Sequence, residues 1–586
     1  MGDEGKNAGG LDRRQFLLRA GAAVGGALVA SAGLSACGSD DEAGGSEADA
    51  GAGGGGSGGA RRNILMITVD QMRTLELMPG AVALPAIESL IARGHHFTGH
   101  HIASAVCTPA RSVLYTGQHV PHTKMTDNIN FAFVEDMDPG VKTLGHMLRS
   151  AGFYTAYKGK WHLSDVDPPQ SDPNCARMGP TTAALEPYGF ADYNDCGDEH
   201  GKMLSGANTD ADTADAAIAW LQTKAPTLDR PFFLAVNFVN PHDIMFFDTD
   251  GAGPQGMTQR SDTMIPMTPA PRRAPYDTER EVRLPATLGA TLAGRPGGHR
   301  EHVATYDAVF GEIPGDREDL WRAYLNYYMN CQVDVDAQIQ RVLDALTAAG
   351  HGEDTIVVFV ADHGELGGAH GLRQKGPFIH RENTNVPLVI AHPDHPGGQV
   401  VPALMSAADL APTLCAFAGL SEAALKAEFP GVIGHSYADL LATPDAAGPR
   451  AEKGILFTYD GLSTVDSTFA IANASPFGNS PGSDCAQGAL DLDKRGFVRA
   501  VCDGEHRLAR WFSPRGFNTP ADVEALRRDN DVELLRAGQG ADSDTPLDVD
   551  AAENAAVVEA MRAKLEALIA AEIGADGYVI PTIEFC

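Results

Sequence analysis

Cys107 opens a stretch, Cys-Thr-Pro-Ala-Arg111, that runs on through Ser-Val-Leu-Tyr to Thr116-Gly117. Read as Cys-x-Pro-x-Arg-x-x-x-x-Thr-Gly, it fixes five positions in one short window, which is far more specific than a two-residue motif. Its plain explanation is a buried, inert cysteine at a helix start, because free cysteine is among the most buried residue types. Other clusters also carry chemistry: Asp70-Gln71, Gly159-Lys160-Trp161-His162, Asn240-Pro241-His242-Asp243, and Asp362-His363-Gly364-Glu365 with His370-Gly371 and Lys375. Singly, each has an ordinary explanation. An aspartate after a strand is usually a cap or turn residue, lysines are usually solvated, and His242 and His370 both suit turns. Asp362 beside His363 is a better metal candidate, since paired ligands at a strand end are an economical arrangement. Together, carboxylates, an amide and imidazoles suit a divalent cation. Imidazoles also move protons near neutral pH, and lysines stabilise a transferred anion.

Such residues need a frame that collects them. Arg62–Asp70 is an apolar, β-branched run ending in a carboxylate and reads as a buried parallel strand. Residues 152–157, 231–239 and 355–361 are further strand candidates, while Pro85–Arg93, Ala214–Lys224 and Leu320–Ala349 have helical spacing. Strands alternating with helices predict a largely parallel α/β sheet, whose functional residues gather beyond the carboxyl ends of the strands. Asp70, Lys160, His242 and Asp362 all fall there. Residues 243–319 are rich in Pro, Gly, Arg and Asp with little periodicity, a long excursion of the kind that forms lids or specificity elements. With the acidic segment Asp192–Asp210, it is expected to shape a pocket. From 451 to 586 the pattern changes to short strands, Gly454–Tyr459 and Phe497–Val501, and a terminal amphipathic helix near Ala555–Ile573. This reads as a smaller α+β subdomain following a catalytic domain over 61–450.

In this order the motifs resemble those of the type I, formylglycine-dependent sulfatase family of the alkaline phosphatase superfamily. The implied fold is α/β: an alkaline-phosphatase-like, largely parallel sheet sandwiched by helices, with a smaller C-terminal α+β subdomain. The window at Cys107 resembles the site where that family converts a cysteine to formylglycine. Asn63–Asp70 looks like the opening strand and first metal ligand, and Gly159–His162 like the Gly-Lys-x-His element. Asn240–Asp243 is similar to the histidine turn after a strand. Asp362–Glu365, His370-Gly371 and Lys375 resemble the second metal-binding strand end and the catalytic lysine, and Asp409–Leu414 the helix closing the catalytic domain.

The resemblance implies one divalent metal, Ca²⁺ first with Mn²⁺ and Mg²⁺ as alternatives, on Asp70, Gln71, Asp362, His363 and modified residue 107. It would orient the sulfate and acidify the aldehyde hydrate, with Arg111 gripping the hydrate by forked hydrogen bonds. Lys160 and Lys375 would neutralise the non-bridging sulfate oxygens. His162 and His242 would move protons, His242 with Lys375 protonating the departing alcohol. One hydroxyl of the hydrate attacks sulfur. The other is then deprotonated, which expels sulfate and regenerates the aldehyde, whereas a simple Ser or Cys would be trapped as an ester. The implied activity is hydrolysis of a small-molecule or glycan sulfate monoester to alcohol and sulfate.

Three positions depart from the family pattern. Gln71 stands where many relatives have a second acid, Lys158 where a small or apolar residue is usual, and Phe153 where Tyr or Val is. The glutamine form resembles branches that include choline sulfatases and phosphonate monoester hydrolases. A phosphonate monoester or phosphodiester hydrolase with the same nucleophile is therefore the near alternative. A non-catalytic lipoprotein binding sulfated glycans is more remote, because a binding remnant has no need of a convertible cysteine.

The 586 residues suffice for a large core. The formal net charge of −32 disfavours nucleic acid and anionic membranes, which bind through clustered cations. It also means that a sulfate site must be positive locally. Arg13-Arg14-Gln-Phe-Leu-Leu is a twin-arginine pattern, and the Gly/Ala-rich run after it ends in Leu34-Ser35-Ala36-Cys37, which resembles a lipobox. Residues 1–37 are expected to be a signal peptide with lipidation at Cys37, and 38–60 a flexible Gly/Ser/acidic tether. The expected product is exported and held at a membrane by its lipid, a periplasmic or cell-surface lipoprotein. The twin-arginine translocase and a formylglycine-generating enzyme would be its maturation partners. In an oxidising compartment Cys175–Cys196 and Cys485–Cys502 are plausible staples.

Overall fold

Successive side chains of a strand point to opposite faces, and in Asn63–Asp70 both faces are apolar. In the computed structural model, which describes residues 61–131, 133–166, 181–194, 196–198, 201–249, 267–472 and 489–575, every residue of that run is buried. The expected leader and tether, with Cys37, lie outside the described residues, as do Cys175 and Cys485.

The large sheet contains β1 (Asn63–Asp70), β2 (His95–Phe97), β4 (Tyr154–Gly159), β5 (Phe232–Pro241), β6 (Thr355–Ala361), β7 (Leu388–Ala391) and β8 (Gln399–Val401). β3 (His100–His101) pairs instead with β9 (Met405–Ser406). The order across the large sheet is β4-β5-β1-β6-β7-β2-β8. β4, β5, β1 and β6 are parallel, and β7 runs against its neighbours. The four parallel strands therefore release their carboxyl ends side by side.

The principal helices are α1 (Pro85–Arg93), α2 (Cys107–Thr116), α3 (Leu144–Ser150), α4 (Ser205–Thr223), α5 (Gly297–Phe310), α6 (Glu318–Ala348) and α7 (Leu410–Phe417). Leu65, Ile67 and Val69 of β1 pack in one core with α4 (Ala214, Leu221) and α6 (Ile339, Val342). Ile64 and Met66 face the opposite core, with Leu114 of α2, Leu148 of α3 and Leu414 of α7. The result is a three-layer α/β/α domain, as a parallel sheet buried on both faces requires. α1 and β6 have the bounds read from the sequence, α1 helped by Pro85 at its first turn. α4 begins at Ser205, upstream of the expected Ala214, because its first turns are polar. α5 lies inside the excursion that showed little periodicity: the residues it buries include His299, His302 and Thr305, which do not mark an apolar stripe.

The C-terminal part is an antiparallel meander, β10 (Ile455–Tyr459), β11 (Phe497–Cys502), β12 (His506–Phe512), β13 (Asp531–Arg536) and β14 (Thr545–Leu547), with α8 (Ala555–Glu572) behind it. Leu456, Val501, Leu508 and Leu534 pack against Val558, Met561 and Leu565 of α8. The other face, with Phe457, Val498 and Trp511, joins the same core as β1. Cys502 does not pair with Cys485. It is a free, buried thiol at the end of β11, in an apolar crevice with Ile102, Ile379 and Phe457, where it packs as a small hydrophobe. Cys196 is disulfide-bonded.

Arg450 joins the two parts. Its Nη2 donates to Asp409 Oδ1 (2.6 Å) and its Nε to Asp409 Oδ2 (2.9 Å), while Nη1 pairs with Glu572 at the end of α8. Glu572 Oε2 also accepts from His119 Nε2 at 2.8 Å. Burial opposes the Glu572 carboxylate, yet His119 and Arg450 hold its pKa down at about 2. In the unfolded chain the group returns to its ordinary value. The stabilisation, about 3 kcal/mol, is thus full above pH 4.5 and is lost as pH falls through about 2. Arg450→Ala strands two buried carboxylates and is expected to cost about 3–5 kcal/mol at neutral pH. Urea melts at stepped pH should show that loss and a flatter acid limb in Glu572→Gln.

Candidate active site

Four strand ends meet one helix start. β1 ends at Asp70, and Gln71 turns the chain with φ 72°. β4 ends at Gly159, where a Cβ would lie 1.9 Å from the Asn237 carbonyl oxygen, so only glycine lets Lys160 reach this point. β5 leads into the turn carrying His242, and β6 into Asp362-His363. α2 brings Cys107 to them as its first residue. The bland expectation for Cys107, buried at a helix start, is met in position, with 1% exposure, but the neighbours are not bland.

Cys107 Sγ lies 3.3 Å from His363 Nε2, 3.4 Å from Lys375 Nζ and 3.6 Å from Asp70 Oδ1. Asp70 Oδ1 is 3.3 Å from His363 Nε2, and Asp70 Oδ2 pairs with Lys160. Ligand atoms of Asp70, Cys107, Asp362 and His363 all lie within 4.8 Å of one another, all buried. Two carboxylates, an imidazole and the neighbouring Gln71 amide make a donor set that fits a hard divalent cation. The electrostatics agree. Burial opposes the Asp70 carboxylate, but Lys160, His242 and His363 hold it well below its ordinary value. Burial opposes the His363 cation, yet Asp362, Cys107 and Asp70 raise its pKa to about 10. Burial and Asp70 oppose the Cys107 thiolate, and Lys160, Lys375 and His363 outweigh them, lowering its pKa.

Arg111 is fully buried. Its Nη1 donates to Asp362 Oδ2 (3.2 Å), Nε to the Trp161 carbonyl (3.0 Å), and Nη2 to Tyr157 Oη (2.9 Å), Asn237 Oδ1 (2.8 Å) and the Lys160 carbonyl. The fork expected to grip residue 107 is largely occupied by protein acceptors. It ties β4, β5 and Asp362 together behind the cysteine. Lys375 Nζ also donates to Gln71 Oε1 (2.5 Å) and contacts Met245 Sδ at 3.0 Å. His162, with φ 57°, has its Nε2 2.7 Å from Asn130 Oδ1, and its carbonyl accepts from Thr108 Oγ1. His242 is buried, and burial together with Lys375 depresses its pKa well below the ordinary value. His370 lies apart, stacked on His380 at 3.7 Å between centroids and facing Glu382.

Sequence reasoning passed over three supports. Glu365 accepts from Gln71 Nε2 (2.6 Å), Tyr324 Oη (3.2 Å) and the Gln374 amide (2.8 Å), linking Gln71 to the loop that carries Lys375. Asn237 receives Arg111 and Tyr115, and its place inside an otherwise apolar strand was the readable signal. Asp198 accepts from the amides of Trp161 and His162, which no local pattern announces.

A family model, Sulfatase, matches residues 62–420. An uncharacterized sulfatase of Escherichia coli K12, YidJ, is 28% identical over 354 residues, 57% of this chain and 63% of that protein. The choline-sulfatase of Rhizobium meliloti is 27% identical over 384 residues, 61% and 68% of the two chains. The chain thus spans just under two thirds of the first relative's length. Among solved structures, BT1596, a 2-O GAG sulfatase, superposes with a TM-score of 0.60 at 18% identity, over 87% of this chain and 92% of that one. The phosphonate monoester hydrolase of Agrobacterium radiobacter gives 0.57 at 22%, over 87% and 96%. These superpositions establish a shared fold. With a family match that runs over more than half of its length and through every strand end of the site, the chain belongs to the sulfatase family.

Proposed function

We propose that this protein hydrolyses sulfate monoesters, with residue 107 matured from cysteine to formylglycine. The observation that carries the reading is the placement of Cys107 Sγ against Asp70, His363 and Lys375. That sulfur belongs to the unmodified precursor and marks where the oxygens of an aldehyde hydrate would stand. The hydrate supplies two hydroxyls on one carbon: one forms the S–O bond as the alcohol leaves, and the other drives collapse to aldehyde and sulfate. Asp70, Gln71, Asp362, His363 and residue 107 would hold a divalent cation, Ca²⁺ before Mn²⁺ or Mg²⁺, which would supply Lewis acidity to the sulfuryl group.

The chain's own residues do the rest. Lys375, beside Sγ, and Lys160, paired to Asp70, place positive charge where a transferred anion develops negative charge. His242, with Lys375, gives a proton to the departing alcohol. Complete burial of the cluster raises each of these interactions above its worth in water. We further propose export by the twin-arginine route and a lipid anchor at Cys37, on the motifs at Arg13-Arg14 and Leu34–Cys37.

A second reading, phosphonate monoester or phosphodiester hydrolysis, draws on Gln71 in place of an acid and on the fold shared with the Agrobacterium radiobacter enzyme. Matched aryl esters separate the two. The sulfatase reading predicts that kcat/KM for the aryl sulfate exceeds that for the phosphonate monoester and the phosphate diester. A reversed order reassigns the substrate while leaving the nucleophile in place.

A further inference from the structure

β5 loses register with β1 just where the site begins. Thr68 faces Asn237, but Asp70 faces Pro241. Two steps along β1 therefore correspond to four along β5, and the extra backbone bulges out of the ladder, leaving amide groups to be satisfied elsewhere. Asp210, in the second turn of α4, takes two of them: Oδ1 accepts from the Val239 amide at 2.7 Å and Oδ2 from the Asn240 amide at 2.9 Å. Asp243 returns the favour. Its Oδ1 accepts from the Gly206 amide (3.0 Å) and its Oδ2 from the Ala207 amide (2.8 Å). Those amides lie in the first turn of α4, where no helix carbonyl reaches them, and Leu204 at the cap position offers no side-chain acceptor.

We propose that Asp210 and Asp243 form a reciprocal carboxylate clasp that positions His242. The inference rests on the reading of His242 as the proton donor to the departing alcohol. Both carboxylates are buried, at 1% and 0% exposure. They fasten the backbone just before and just after His242 to one helix end. Packing completes the hold: a Cβ on Gly206 would lie 2.3 Å from Asn240 Cγ, and one on Gly201 would lie 2.6 Å from His242 Cε1. His242 Nδ1 has no hydrogen-bond partner among the described residues. The ring is therefore not aimed through Nδ1 by a carboxylate, as the imidazole of a catalytic triad is. Its aim comes from the clasped backbone and the flanking glycines.

Asp210→Asn and Asp243→Asn keep side-chain size and one acceptor oxygen, so they disturb aim more than fold. Each is expected to lower kcat for aryl sulfates with the poorest leaving groups by roughly 10–100-fold, and by under about 3-fold for the best, because only poor leaving groups need the proton. KM should stay within about 2-fold, as expected when an interaction is lost only in the transition state. His242→Gln should show the same steepening, larger. A uniform loss across the series, or the wild-type slope retained, overturns the clasp. A readout independent of turnover uses protein labelled at histidine Cε1, with the His242 resonance identified by its loss in His242→Gln. Both variants should move that resonance and leave the His363 resonance in place. An unmoved His242 resonance overturns the clasp whatever the protein hydrolyses, whereas wild-type inactivity toward every sulfate contradicts the proposed function alone.

Discussion

Cys107→Ala is expected to lower kcat by roughly 10⁴-fold or more, as loss of a nucleophile does, while the protein remains folded. The residue is 1% exposed and its sulfur meets Asp70, His363 and Lys375. Alanine removes the reacting atom yet leaves those groups paired with Lys160, Asp362 and Gln71. Cys107→Ser is the sharper variant. A serine hydroxyl can attack sulfur, but its carbon bears no second hydroxyl to drive collapse, so the sulfate ester stays on the protein. One equivalent of alcohol per active site should appear, followed by no turnover, and intact-protein mass should show the retained sulfate. Sustained turnover by either variant contradicts the assignment of residue 107.

Arg111→Lys should rank next. Lysine keeps the charge but cannot reproduce a planar fork that serves Asp362, Trp161, Tyr157, Asn237 and Lys160 together. At full burial the unpaired acceptors are expected to cost about 3–5 kcal/mol of stability. Asp362 loses the partner that fixes it, and kcat should fall by about 10²-fold from misplacement of the site. Denaturant titration and steady-state kinetics on one preparation test both halves. Full stability with reduced kcat would mean that Arg111 acts on the hydrate of residue 107 rather than as the tie between β4, β5 and Asp362.

The frame of the site was legible in the sequence because its signals are local. Asn63–Asp70 and Thr355–Ala361 are buried runs with carboxylates at or just past their ends, and Pro85–Arg93 has helical spacing with proline at its first turn. Asp70, Cys107, Asp362, His363 and Lys375 were each flagged by a motif, and the structure brings them together. What stayed hidden depends on partners distant in the chain. Arg111 reads as a grip on the hydrate of residue 107, and only the fold shows its acceptors at β4, β5 and Asp362. Asp210 and Asp243 stand 33 residues apart, and only the fold shows each accepting from backbone amides a few residues before the other. α5 escaped because it buries histidines, which a hydrophobic pattern does not count. Cys485 and Cys502 read as a staple suited to an oxidising compartment, whereas Cys502 is a free thiol in the apolar crevice beneath the meander.

The central claim is that an aldehyde at position 107 does the chemistry. It is tested most directly by peptide mass spectrometry of that position, on preparations made with graded amounts of formylglycine-generating enzyme and assayed in parallel for aryl sulfate hydrolysis. The account predicts that kcat rises in proportion to the fraction of residue 107 converted from thiol to aldehyde and extrapolates to zero for the unconverted protein. Full activity in protein whose Cys107 thiol is intact would contradict it.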